Sequence, residues 1–568
     1  MSMDTAPTGE DIAMESGREV EASTRSETVE EIPEERVGAT MVEIGTVEEE
    51  LARAKIENLA SSRRKPDAKT ILRLPSEIIS LVLTLLDHRA VLHVTWTSSR
   101  LREVGKGTAA LWVSPNLKIK EQLIEYIKRV KNSPINFRLS LSSSLFIPNT
   151  QAAVRESLHV IINQDSIMKQ TRELQLPLCF DAAWFISKLC HSAAQLEHLD
   201  IRCLHVESEP QQARQCPLVH AQLPPRLFHG NCPRLRSWTL RFPLQQPDWL
   251  CSLSACIGTT TVYLWVENCP SVVAFRPRLH DYMEMLRAAP QLTSLSLIRC
   301  PPSITQASAL YSTVKLSSLQ TIELQGMTLA EIEWIVKNLD LPVIKKFVLF
   351  ADDSSATDRP LGDVRTFENV LRVISTSSWD SDLTSDLKLA FRPRHAFGQP
   401  PCVQLMLSGA TDSQNIQPSI SVRWAWPDAV QADAVSSAIH RVLQMFQFGA
   451  LHTLTVAPGS LAMVPIVQET LSLAPIAELH IIGNGSGVTE LTTALRLQEG
   501  NGKHIWSTLE QLHLETAFLD WTGIEEVLYH SLIHRREEHL MLDMITLTRC
   551  SGYKGTLEGL ALVVDVIS

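Results

Sequence analysis

The chain has 568 residues, room for three or four ordinary domains or one long repeat array. Apolar residues make up 44% and charged residues 20%, close to globular usage, which excludes wholesale disorder and fibrous architectures. The formal net charge of −11 is concentrated at the start: residues 1–50 hold 15 Asp/Glu against 3 Lys/Arg, a net of −12, so the other 518 residues sum to +1 and offer nucleic acid little attraction.

Residues 1–45 lack aromatic side chains and are rich in Glu, Ser and Thr, so a disordered acidic tail is expected there. They carry neither the basic start nor the apolar centre of a secretory signal, which makes a cytoplasmic or nuclear address, or both, the expectation and the eleven cysteines reduced. No CxxC pair is present, so neither a disulfide framework nor a structural zinc site is expected. Over 46–70, the run VEEELARAKIENLA places acids before bases, as a short helix favours, and SSRRKPDAK ends it. Arg63, Arg64, Lys65 and Lys69 read as a solvated linker in preference to a nuclear address.

Residues 71–115 carry the strongest local signal. Pro75 and Glu77 suit a first turn, and the helix is predicted to run to about Leu86. Ile78, Ile79, Leu81, Val82, Leu83, Leu85 and Leu86 leave it almost no polar face. A helix apolar all round must be covered on all sides, and a unit this small cannot manage that alone, so its second face needs the rest of the chain or a partner. Helices over Ala90–Thr97 and Ser99–Val104, closed by Leu111 and Trp112, complete a three-helix unit. Leu74, Pro75, Glu77, Ile78, Leu86, Asp87, Leu92, Val94, Arg100, Val104, Leu111 and Trp112 fall in order on the pattern of the F-box, and the segment resembles that family. His88, Ser98 and Leu101 stand where Pro, Cys and Trp are frequent, and the smaller volume of Leu101 is expected to loosen the third helix. The resemblance implies docking onto a Skp-type adaptor and through it a cullin scaffold, with Leu74, Pro75, Ile78, Ile79, Leu86 and Leu92 forming the adaptor interface.

From 116 to 568 a short phrase recurs, an apolar residue followed by others three and five positions later. It appears at Leu196/Leu199/Ile201, Leu235/Trp238/Leu240, Leu292/Leu295/Leu297, Leu319/Ile322/Leu324, Ile344/Phe347/Leu349, Leu451/Leu454/Val456, Ile476/Leu479/Ile481, Leu509/Leu512/Leu514 and Leu542/Ile545/Leu547. Cys269, Cys300 and Cys550 lie three positions beyond such a phrase, and Asn484 takes that place once. The pattern resembles the leucine-rich repeat, in which a short strand lines one face of a solenoid and the Cys acts as a small buried hydrophobe. Amphipathic helices are predicted between phrases, as at Leu329–Leu339, Asp433–Phe446 and Leu519–His534. The long gap between Ile344 and Leu451 holds LKLAF, VQLML and ISVRWAW, whose period of two, with Ile420, Val422, Trp424 and Trp426 on one face, predicts an inserted hairpin or meander over 380–428. The expected class is α/β: a helical F-box, then an irregular leucine-rich-repeat solenoid with a curved parallel sheet.

Catalytic chemistry is not apparent. Trp249–Val266 is too broken by Ser, Gly and Thr to be expected in a membrane. GNGSG at 483–487 lacks the third glycine of a dinucleotide loop and reads as a turn made by Gly485 and Gly487. HRREEH, with His534, Glu537 and His539, matches no zinc helix and reads as an exposed charged helix end. No catalytic, metal or cofactor set is expected. The two resemblances imply the substrate-recognition subunit of an SCF-type ubiquitin ligase, itself not an enzyme; the alternative is a repeat scaffold without a part in ubiquitin transfer. Target protein is expected on the strand face between the inward leucines, where Glu197, His198, Asp200, Arg236, Ser237, Thr239, Gln320, Thr321, Glu323, Glu510, Gln511 and His513 point outward, with Arg236, Glu323 and Glu510 as its charged contacts.

Overall fold

A computed structural model describes residues 71–567 apart from interruptions, the longest of them 204–222 and 551–563. The acidic tail and linker expected over 1–70 lie outside the described residues.

After a 3-10 turn at Ile71–Arg73, three helices follow: α1 Ser76–Thr84, α2 His88–Thr97 and α3 Ser99–Gly107. Pro75 keeps a non-helical ψ of 148° and its carbonyl accepts from both Ile78 and Ile79 at 3.1 Å, which starts α1. Gly105 is required where α2 and α3 touch, since a Cβ there would sit 2.7 Å from Thr95 Cγ2. Ile79, Leu83 and Leu101 form a small buried cluster inside the unit. Trp112 belongs to the much larger core that follows: its indole N–H donates to the Gly105 carbonyl at 2.8 Å, and its ring meets Tyr126 edge-on at 5.0 Å. Tyr126 lies on α4, Lys120–Val130, so the core continues across the boundary expected at residue 115.

Sixteen strands build one sheet. The first eight are β1 Ile135–Arg138, β2 Thr171–Leu178, β3 His198–Cys203, β4 Ser237–Phe242, β5 Tyr263–Asn268, β6 Ser294–Ile298, β7 Thr321–Met327 and β8 Lys346–Asp352, each parallel to the next. Then come β9 Thr384–Arg392, β10 Cys402–Gly409 and β11 Ser419–Ala425, followed by β12 Thr453–Pro458, β13 Glu478–Ile482, β14 Gln511–Glu515, β15 Leu542–Thr548 and β16 Val564–Ile567. The sheet order runs β1 to β8, then β11, β10, β9, then β12 to β16. Only β9 with β10 and β10 with β11 pair antiparallel, and these three strands occupy the stretch where a meander was expected. With fourteen α-helices among the described residues, the molecule is α/β with a large, mostly parallel sheet, compatible with a solenoid of strand and helix units.

Alternation along each strand decides what is buried. Leu199, Trp238, Leu264, Leu295, Ile322 and Phe347 face one another from strand to strand, and the row passes through Ile420, Leu407 and Leu387 of the insert into Leu454, Leu479, Leu512 and Ile545. All are buried in one continuous core, and each such side chain contributes on the order of 1.5–3 kcal/mol. In two units a threonine takes the opening apolar position, so that the full three-residue phrase is missing. Thr171 precedes Leu174/Leu176 and Thr261 precedes Leu264/Val266; both threonines are buried, and their hydroxyls donate to the Ile167 and Leu235 carbonyls at 2.9 and 3.2 Å. Cys300 is buried as expected of a small hydrophobe and Cys550 is half-buried, whereas Cys269 and Asn484 lie outside the described residues.

Two loop readings are corrected. Gly483 takes a positive φ of 122° and Gly487 sits in the first turn of the helix Ser486–Ala494, while Gly485 lies outside the described residues. The HRREEH segment is not wholly an exposed end: it closes α5, Ile524–Glu537, where Glu537 and His539 are exposed but Arg535 is buried. The Arg535 guanidinium donates to the carbonyls of Leu540, Leu495, Ile505, Trp506 and Leu509, so backbone dipoles replace water around the charge, and burial draws its pKa down to about 10.

Candidate functional site

Two surfaces stand out, one on the helical unit and one on the sheet. On α1 and the turn that ends it, Ile79 and Leu83 face inward, while Ile78, Leu81, Val82, Leu85 and Leu86 are exposed, Leu81 by 61% and Leu85 by 80%. Trp96 on α2 adds a side chain 67% exposed, with His93 edge-on at 5.8 Å. Pro75 is exposed and Leu74 half-buried against the internal cluster. Arg100 holds the entry to α1 by donating to the Leu74 carbonyl at 2.8 Å.

The residues expected at an adaptor interface divide between core and surface. Ile79, at 2% exposure, belongs to the unit's own core, and Leu92 packs against the main core, so neither offers a free anchor. Leu81, Leu85 and Trp96 were not among the expected residues, although an all-apolar helix with only one internal neighbour had to expose its far side. Between the turn at 72–74, α1 and the α2–α3 junction lies an apolar cleft of about 470 Å³, lined among others by Leu74, Val82, Leu86, Val94 and Leu101. Leu101 itself is buried, and α3 extends to Gly107.

On the sheet, the face opposite the leucine rows carries ladders of polar side chains. Arginine and carboxylate pair repeatedly across neighbouring strands: Arg138 with Glu173 at 2.6 Å, Arg172 with Glu197 at 3.0 Å, and Arg241 and Arg299 with Glu267 at 2.7 and 2.6 Å. Within β3, Arg202 meets Asp200 at 2.8 Å. Gly326, at φ 65°, leaves room for Arg299 Cγ, which a Cβ would approach to 2.5 Å. Tyr263 and Trp265 stand on the same face of β5 with ring centroids 6.5 Å apart. Burial, and next the Glu323 carboxylate, hold the Tyr263 phenol above its ordinary pKa. Toward the other end, His480 and His513 stack at 4.1 Å, and burial followed by the His480 charge keeps His513 below the usual imidazole range.

Arg236 and Glu510 are exposed, and Glu323 is half-buried, accepting from Ser296 Oγ at 2.9 Å and from the Gln325 amide. These three do not converge. Arg236 precedes β4 and Glu510 precedes β14, ten steps away in the sheet, roughly 48 Å at the ordinary strand spacing. Thr239, expected to point out freely, is buried in its row between Asp200 and Trp265.

Among the described residues no group of three or more His, Cys, Asp or Glu is placed to hold a metal ion, and no helix is long and apolar enough to cross a membrane. No protein-family model matches the chain, and no curated protein matches it in sequence.

Proposed function

We propose that the chain is the substrate-recognition subunit of an SCF-type ubiquitin ligase, in which the helical unit is an F-box holding a Skp-type adaptor and, through it, a cullin scaffold, and the sheet is a leucine-rich-repeat array holding a target protein. The observation that carries this reading is the uncovered apolar face of α1, on the very segment whose residues follow the F-box pattern. The open sheet face, with paired charges and two aromatic rings, has the mixed chemistry of a protein-binding surface. The subunit performs no bond-making step; by tethering both partners it raises the effective concentration of a target lysine beside the ubiquitin-loaded enzyme.

Co-purification of the full chain with a Skp-type adaptor and cullin tests the assignment. Replacing Leu81 and Leu85 together by alanine should weaken adaptor binding more than tenfold, since losing an interface anchor costs about 2 kcal/mol. The variant should keep its circular dichroism and melting behaviour, because both side chains are exposed. A wild-type chain that binds no adaptor favours a repeat scaffold without a part in ubiquitin transfer, and a folded double variant that binds undiminished removes α1 from the interface.

A further inference from the structure

The open face of the sheet is uneven in a way that specifies a ligand. Tyr263 and Trp265 on β5 are flanked by small side chains on both neighbouring strands: Ser237 and Ser294 beside Tyr263, Thr239 and Ser296 beside Trp265. The two rings, tilted by 42° to each other, thus form a platform with nothing of similar size in register next to it. In the row of Trp265 and Ser296 the next residue is Glu323 on β7, two strand spacings or about 10 Å from the Trp265 backbone.

The charges divide sharply at this point. On the open face from β2 to β7, Glu173, Glu197, Asp200 and Glu267 each have an arginine partner. Glu323 instead receives only a serine hydroxyl and a glutamine amide, and among the described residues no Lys or Arg pairs with it. Its carboxylate acts on the Tyr263 phenol ahead of Arg202 and Asp200, which pair with each other, so ring and unpaired charge share one neighbourhood. An aromatic face attracts a cation, and a carboxylate bonds one strongly through charged donors. An anion placed here would meet Glu323 with like charge, and a wholly apolar ligand would cover that carboxylate without compensating it.

We infer that this patch reads the target through a basic side chain, lysine or arginine, laid over Trp265 and Tyr263 with its cationic end at Glu323. The inference rests on the open sheet face being the target surface. It commits the site to the β5–β7 region and leaves Glu510 outside it.

The test uses the full chain with its 12 tryptophans replaced by 5-fluorotryptophan and followed by fluorine NMR, the Trp265 resonance being assigned with Trp265→Phe. N-acetyl-arginine amide and N-acetyl-lysine amide are the probes, and N-acetyl-glutamate amide is the control. At least one basic probe should shift the Trp265 resonance saturably and more than the other tryptophan resonances. Glu323→Gln, which keeps the shape and removes the charge, should weaken that response by about fivefold or more while the other resonances stay in place. A Trp265 response no larger than the rest, one unchanged in Glu323→Gln, or one matched by the glutamate control would overturn the inference. Adaptor co-purification on the same preparations reads the ligase assignment separately: its failure would defeat that assignment and leave the titration standing.

Discussion

The helical unit and the sheet treat apolar side chains in opposite ways. From β1 onward, leucine, isoleucine and phenylalanine line up in rows on one side of the sheet and disappear into a single core. Of the eight large apolar side chains exposed among the described residues, six lie between Ile78 and Trp96, and only Ile119 and Val343 fall elsewhere. Among the described residues the deficit of cover is thus concentrated in one short segment. Such patches are disfavoured where nothing occupies them, so the contrast supports the docking role proposed for α1.

Three experiments can break or sharpen that contrast. The largest effect belongs to the sheet. Trp424 of β11 stacks on Phe367 at 5.3 Å and its indole N–H donates to buried Asp353 at 2.8 Å, so Trp424→Ala should cost about 3–5 kcal/mol in urea unfolding while leaving adaptor binding of the folded protein intact. A cost below about 1 kcal/mol would show that the insert is not integral to the core. A gain of intermediate size is expected in the helical unit, where Leu101→Phe projects into the apolar cleft and should stabilise α1 to α3 by about 0.5–2 kcal/mol, read from slowed amide exchange. Faster exchange would mean that the cleft has no room for a ring.

The smallest effect is a pH dependence. Burial holds the folded-state pKa of His504 and His513 below the ordinary value, and the His480 charge adds to this at His513. The unfolded chain therefore takes up protons near pH 6.5 that the folded chain resists, so stability is full above that pH and declines as pH falls from about 7 toward 5. Exchange protection in β13 and β14 should weaken first on acidification, and His513→Gln should flatten the dependence. No change in that region between pH 7 and 5 would show that the stacked pair sits looser than its geometry implies.

Much of this architecture was legible in the residues, for definite reasons. The leucine phrases mark strands because alternation of period two places their second and third residues on one side, and their spacing with intervening amphipathic segments predicts strand then helix. Thr171 hid one unit and Thr261 left another incomplete, since a buried hydroxyl bonded to a nearby carbonyl replaces a leucine and only the fold supplies that carbonyl. The apolar excess of α1 was visible, but which side faces inward depends on how α3 crosses it, and Ile79 rather than Leu81 or Leu85 met that neighbour. Arg535 was read among charged neighbours as solvent-facing, for nothing local announces five converging carbonyls. The Tyr263, Trp265 and Glu323 neighbourhood needs the strand register, which joins residues about 60 apart in the chain.

The three strands between β8 and β12 impose a rule of parity on this molecule. Each antiparallel pairing reverses the direction in which the chain must travel, and β9, β10 and β11 contain two of them, so β12 resumes the heading of β8. A single antiparallel pairing in this stretch would have left every later strand running the other way. Additions that preserve what lies downstream must therefore contain an even number of antiparallel pairings: none, as in each parallel strand-and-helix unit, or two, as across β9 to β11.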